Sequence, residues 1–345
     1  MMDRLTANRF LALLLLAVLP SPVLGVCRPS RREGFAGRIA HDDLETRFRS
    51  TTLGSDNKKK GPVADNRKLA LAANLVNLTV AVADARGQYV PGLTPENFEI
   101  FDDQARQQIV HFSDEDVPVS IGIIFDTSGS MKDCIGQSLS ALREFLKTCH
   151  EDDDFFVLGF HDRVGLIQDF TTSADEVLKS LEMSQPDGST PLFDAIYLGI
   201  EKIQRGRHSR KVLLIITDGI DNNSRYTDKE IVNRLRESDV EVYSISIIDP
   251  KATRRAYFGN AALQKFAGMT GGSAFFPRLK KQAVDFTTIC TTIALELRHK
   301  YVVGFYPTDA NSLAKWHKVS VRLRLPKGHH RLALSYRSEY QAFAK

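Results

Sequence analysis

Ile121-Gly122-Ile123-Ile124-Phe125-Asp126-Thr127-Ser128-Gly129-Ser130 decides how the rest of the chain is read. The first half is an almost unbroken apolar run, the pattern of a strand buried on both faces of a parallel sheet. The second half is a polar loop carrying one carboxylate and three hydroxyls. A helical pattern follows over 135–148, with Leu139, Leu142, Phe145 and Leu146 on one face. Further along, the periodicity predicts strands at 155–160, 164–170, 212–217, 240–248 and 274–276. Helices are predicted at 174–181, 192–203, 228–238, 261–267 and 282–298. The strand at 164–170 is reached by a short turn, which makes it antiparallel at an edge. This alternation predicts an α/β fold, a doubly wound and mostly parallel sheet with one antiparallel edge strand and helices on both faces.

The flanks read differently. Val76, Leu78, Val80 and Val82 alternate with Asn77, Thr79 and Ala81, a half-buried strand. Phe98-Glu99-Ile100-Phe101 and 108–112 are two more short strands with no helix between them. After the α/β segment come strands at 301–306, 318–325 and 331–336. The expected organisation is a leader over 1–25, a basic linker over 26–70, and the first part of a small β module over 71–115. The α/β domain spans 116–299, and the second part of the β module spans 300–340.

Composition limits the function. The 345 residues are 43% hydrophobic and 26% charged, an ordinary globular balance. The formal net charge of +4 is concentrated before residue 69, where 26–68 hold 11 Lys/Arg against 6 Asp/Glu. The remainder is slightly acidic, which removes the simplest electrostatic argument for nucleic-acid binding. At the N-terminus, Arg4 and Arg9 precede an apolar run over 10–19 and a small residue at Gly25, the layout of a secretory signal cleaved after Gly25. Ten apolar residues span about 15 Å as a helix, half a bilayer core, and no later segment is apolar enough to cross a membrane. The expectation is an exported protein, periplasmic, cell-surface or secreted. Its four cysteines are Cys27, Cys134, Cys149 and Cys290. Cys134 and Cys149 sit about 22 Å apart along one predicted helix and cannot bridge each other. Cys290 is left either to pair with one of them across neighbouring helices or to stay a thiol. Asp152-Asp153-Asp154 reads as a solvated turn.

Open α/β sheets bind ligands beyond the carboxyl ends of their strands. Three loops open there: Asp126-Thr127-Ser128-Gly129-Ser130, Gly188-Ser189-Thr190-Pro191, and Thr217-Asp218-Gly219. Together they offer Asp126, Ser128, Ser130, Thr190 and Asp218, a set of hard oxygen donors without thiolate or imidazole. That chemistry selects Mg²⁺ first, with Mn²⁺ or Ca²⁺ as alternatives. Only Asp126 and Asp218 bring charge, so a bound cation stays under-neutralised and keeps a position open for an outside carboxylate. There is no Gly-x-Ser-x-Gly elbow at a strand–helix turn, no Gly-rich phosphate loop with Lys, and no second Asp-Thr-Gly-like copy.

These five residues at this separation resemble the metal-ion-dependent adhesion site of von Willebrand factor A-type domains, over residues 117–299. The resemblance implies a Rossmann-like fold. It also implies that Asp126, Ser128 and Ser130 supply oxygens directly or through water, Thr190 comes from the second loop, and Asp218 acts mostly through water. The flanks, with Val80-Ala81-Val82-Ala83-Asp84, Gly92-Leu93-Thr94 and Tyr301-Val302-Val303-Gly304-Phe305-Tyr306-Pro307, resemble exported acidobacterial-type proteins carrying this domain. The implied function is protein binding for adhesion or scaffolding, without catalysis, through a divalent cation that grips an Asp or Glu of a partner. The competing readings are a metal-dependent hydrolase with Asp221 or Asp187 as base, and a structural envelope protein whose metal only stabilises the fold.

Overall fold

The computed structural model describes residues 75–84, 88–183, 187–247, 254–277, 286–308, 316–324 and 332–341. The expected leader and basic linker lie outside them, as do Cys27 and the start of the helix expected from 282. The strand at the centre is β5 (Val119–Asp126), all eight residues buried. It pairs in parallel with β6 (Asp154–Phe160) on one side and β8 (Arg210–Thr217) on the other. β9 (Val240–Ser246) and the short β10 (Ala274–Phe275) continue the parallel set. β7 (Val164–Thr171) closes the opposite edge antiparallel to β6. The order β10-β9-β8-β5-β6-β7 is the predicted doubly wound sheet with one antiparallel edge strand.

Side-chain alternation divides the core into two layers. Val119, Ile121, Ile123 and Phe125 face α1 (Ile135–Lys147), α2 (Ala174–Glu182) and α6 (Phe286–Arg298). Ile124, Leu213 and Ile215 face α3 (Leu192–Ile203), α4 (Asp228–Arg236) and α5 (Arg254–Thr270). Gly122 has a packing reason: the Phe156 ring and the Leu213 side chain fill the space its Cβ would need. α5 (Arg254–Thr270) is longer than the 261–267 predicted from sequence and runs through Gly268, which was expected to stop it. In the fold Gly259 packs against the Gly219 carbonyl, and Asn260 accepts a hydrogen bond from Ser246 at 2.5 Å.

The flanking segments build a β-sandwich. One sheet has the order β13-β1-β11-β4 and the other β14-β12-β2-β3. β1 (Val76–Ala83), β2 (Phe98–Asp102), β3 (Ala105–Gln107) and β4 (Ile109–Ser113) precede β5. β11 (Tyr301–Phe305), β12 (Trp316–Leu323), β13 (Ala333–Tyr336) and β14 (Glu339–Gln341) follow α6. The sheets close over Leu78, Val80, Phe98, Ile100, Tyr301, Val303, Phe305, Val319 and Val321. β3 and β14, three residues each, were too short to show a period in the sequence.

Asp152-Asp153-Asp154 corrects the sequence reading. Asp153 is fully buried and Asp154 nearly so. Asp153 accepts hydrogen bonds from the backbone N–H of Val119 (2.7 Å) and His150 (2.8 Å) and pairs with Arg298 at 2.9 Å. The pair ties the last turn of α6 to the start of the central sheet, just before β11. Cys134, Cys149 and Cys290 are all free thiols.

Candidate metal site

β5 and β8 are neighbours, yet the chain runs outward from β5 through β6 and β7 before returning to β8. That places a topological switch point between their carboxyl ends, where open sheets form ligand crevices. Asp126 is the last residue of β5, and Thr217 is the last of β8, with Asp218 directly after it.

The Asp126 carboxylate is fully buried and held at both oxygens. Oδ1 accepts from the Ser128 N–H at 2.9 Å, and Oδ2 accepts from the Thr217 hydroxyl at 2.6 Å. Ser128 stands at the start of the 3-10 turn Gly129–Asp133, and its hydroxyl lies 3.1 Å from that of Ser130. Asp218 is nearly buried, and its Oδ1 accepts from the Ile220 N–H at 2.9 Å. Gly219 makes this turn at φ +78, a left-handed conformation suited to glycine. Thr190 is buried and reaches the same edge through a two-way clasp: its N–H donates to Asn222 Oδ1 at 2.8 Å, and the Asn222 N–H returns to the Thr190 carbonyl at 3.1 Å. A second tie, from the Gly129 N–H to the Gly188 carbonyl at 3.4 Å, joins the first loop to the Thr190 loop. The three loops that carry the five sequence-selected residues are thus bound to one another at one sheet edge.

The electrostatics of this edge disfavour the ionised form of Asp126. Burial pushes the Asp126 carboxyl up to about 7, and the negative charge of Asp218 pushes the same way. The hydrogen bonds from Ser128 and Thr217 only partly offset this. Among the described residues no Lys or Arg pairs with Asp126. Cys134, beneath the loop, is raised to about 12 by burial, with the charges of Asp218 and Asp126 adding to it. Two buried carboxylates that repel each other, beside convergent hydroxyls, form a donor set that suits a hard divalent cation. In that assignment Asp126, Ser128, Ser130, Thr190 and Asp218 would hold the ion, which would supply a Lewis-acidic position for an incoming carboxylate.

The acids considered as bases have other work. Asp221 Oδ1 accepts from the Leu192 N–H at 3.0 Å and from the Ser224 hydroxyl at 2.5 Å, capping α3. Asp187 Oδ1 accepts from the Gly188 N–H at 2.8 Å. Asp194, a first-turn residue of α3 and never a candidate base, accepts from the N–H groups of Arg225 (2.8 Å) and Tyr226 (3.1 Å). The sequence reading passed over Thr217 and Asn222. Thr217 had a usable signal, a hydroxyl at the end of a buried strand beside a selected acid; Asn222 had none.

Residues 121–220 match the family model of the von Willebrand factor type A domain. The chain carries a von Willebrand factor type A domain. The matched stretch runs from β5 to just past Asp218, so it contains all three loops of the candidate site. Among solved structures, the chain aligns with the conserved hypothetical protein BatB from Bacteroides thetaiotaomicron at 16% identity and a TM-score of 0.41, covering 52% of this chain and 97% of that one. It aligns with the vWF domain of the type V pili tip protein Mfa5 from Porphyromonas gingivalis at 12% identity and a TM-score of 0.43, covering 53% and 97%. The PilB minor pilin from Streptococcus sanguinis aligns at 15% identity and a TM-score of 0.39, covering 53% and 62%. No curated protein matches the sequence.

Proposed function

We propose that this is an exported protein-binding module for adhesion or scaffolding, in which a divalent cation at Asp126, Ser128, Ser130, Thr190 and Asp218 grips an Asp or Glu of a partner protein. Mg²⁺ is the cation the donor set favours. The observation that carries the reading is the Asp126 carboxylate at the open end of the sheet, raised by its burial and, secondarily, by the charge of Asp218. A cation there relieves that repulsion. With only two charged protein ligands it retains affinity for a third carboxylate, which a partner supplies. The hydrogen bonds that Asp221 Oδ1 and Asp187 Oδ1 accept give both acids a local structural role. Export rests on the leader read in the sequence. Among the described residues no helix is long and apolar enough to cross a membrane.

The test is capture from an envelope extract in Mg²⁺, followed by elution with chelator. A partner that is released by chelator, missed by Asp126→Ala, and lost when one of its own acidic residues is changed supports the reading. Capture that ignores both chelator and Asp126→Ala contradicts it.

A further inference from the structure

A second polar cluster lies in the β-sandwich, away from the switch point. Asp102 ends β2 and Asp103 follows it in the turn to β3, while His317 is the second residue of β12. Asp102 and His317 are buried, and Asp103 is exposed. His317 Nδ1 lies 3.1 Å from Asp102 Oδ1 and 3.3 Å from Asp103 Oδ2. One atom from each of the three residues falls within 4.8 Å of the other two.

An imidazole nitrogen offers one in-plane site, for a proton or for a metal. Two carboxylate oxygens converge on Nδ1, where a proton would be shared between them in a bifurcated hydrogen bond. A cation between the three groups meets all of them. Ligands about 2.0–2.2 Å from a four- to six-coordinate ion stand roughly 3.0–3.4 Å from one another, and both Nδ1–oxygen separations fall in that interval. The surroundings hold the donors in place. Tyr340 stacks on the His317 ring at 5.0 Å and donates its hydroxyl to Asp102 Oδ2 at 2.8 Å. Asp103 Oδ1 accepts from the Lys318 N–H at 3.0 Å, which leaves Oδ2 facing the imidazole. Such outer contacts orient ligands in metal sites.

We propose that Asp102, Asp103 and His317 form a second cation site, selective for a first-row divalent ion of the zinc class. One imidazole and two carboxylates make a mixed nitrogen–oxygen set, which zinc accepts and magnesium does not prefer. The exposed side at Asp103 leaves a fourth position for water.

The experiment is a calorimetric titration of Zn²⁺ into the chelator-stripped full chain carrying Asp126→Ala, so that the sheet-edge site does not contribute. It is repeated in the wild-type background in case that variant folds poorly. Asp103→Asn is the decisive change. Asn tolerates the left-handed turn at φ 43 and keeps an acceptor for Lys318, but it brings no charge. The expected result is one Zn²⁺ per chain, weakened at least ~10-fold by Asp103→Asn, with an unchanged circular dichroism spectrum. Absence of Zn²⁺ binding, or equal affinity in Asp103→Asn, overturns the proposal and leaves His317 as a hydrogen-bonded bridge between two acids.

Discussion

The chain handles buried acids in contrasting ways at the two ends of its A domain. At the amino-terminal edge of the sheet, Asp153 has the guanidinium of Arg298 at 2.9 Å and two backbone N–H donors. At the carboxyl edge, Asp126 has hydroxyl and backbone donors but another acid, Asp218, as its charged neighbour. The first arrangement is closed and structural. The second disfavours the ionised form of Asp126, which a proton or a cation would relieve. Burial alone therefore does not separate the two acids; the sign of the neighbouring charge does.

The largest effect belongs to the closed end. Replacing Arg298 by Met leaves Asp153 buried and unpaired. Chemical denaturation is expected to show a loss of about 3–5 kcal/mol; a loss under about 1 kcal/mol would break the contrast. At the open end the sign reverses. Asp126→Asn removes a carboxylate that burial and Asp218 disfavour, so the metal-free variant should be more stable near pH 8, by on the order of 2–4 kcal/mol. The same shift sets a pH dependence. Asp126 is held near 7 in the fold against an ordinary value of 3.8. Between these limits the folded chain keeps a proton that the unfolded chain has released. Its contribution to metal-free stability is present below about pH 4 and is lost as pH rises through about 7. Asp126→Asn should flatten that slope, and Mg²⁺ should oppose it.

Smaller effects come from the groups that orient the acids. Thr217→Val removes the hydroxyl on Asp126 Oδ2, and Mg²⁺ affinity measured by calorimetry should fall about 10-fold. In the sandwich, Tyr340→Phe removes the donor to Asp102 Oδ2 at nearly constant shape. A stability loss of about 1–2 kcal/mol is expected in thermal melts, with Mg²⁺ affinity unchanged. A change in Mg²⁺ affinity there would mean that the two acid clusters are not independent.

Much of this contrast could be read from the sequence, but unevenly. The doubly wound sheet was legible because strands buried on both faces, such as β5 and β8, are continuous apolar runs, and the helices between them keep one apolar face. Among the proposed ligands, Asp126, Ser128, Ser130 and Asp218 drew attention because they follow those strands, and Thr190 because it stands just before a helix of the same alternation. Asp153 was misread: three consecutive acids look solvated, and the cation that buries one of them is 145 positions away. The Asp102–Asp103–His317 cluster was invisible for the same reason, since strand pairing brings together residues more than 200 positions apart. Thr217 was in view but unassigned, because a hydroxyl's role depends on which acid it faces.

The most direct test is a calorimetric titration of Mg²⁺ into the chelator-stripped chain at pH 8, for wild type and Asp126→Ala, with melting temperatures recorded on the same samples. The account predicts that the wild type binds one Mg²⁺ tightly enough to raise its melting temperature, and that Asp126→Ala loses both the heat and the shift. A wild type that ignores Mg²⁺, or a variant that binds it equally well, would contradict it.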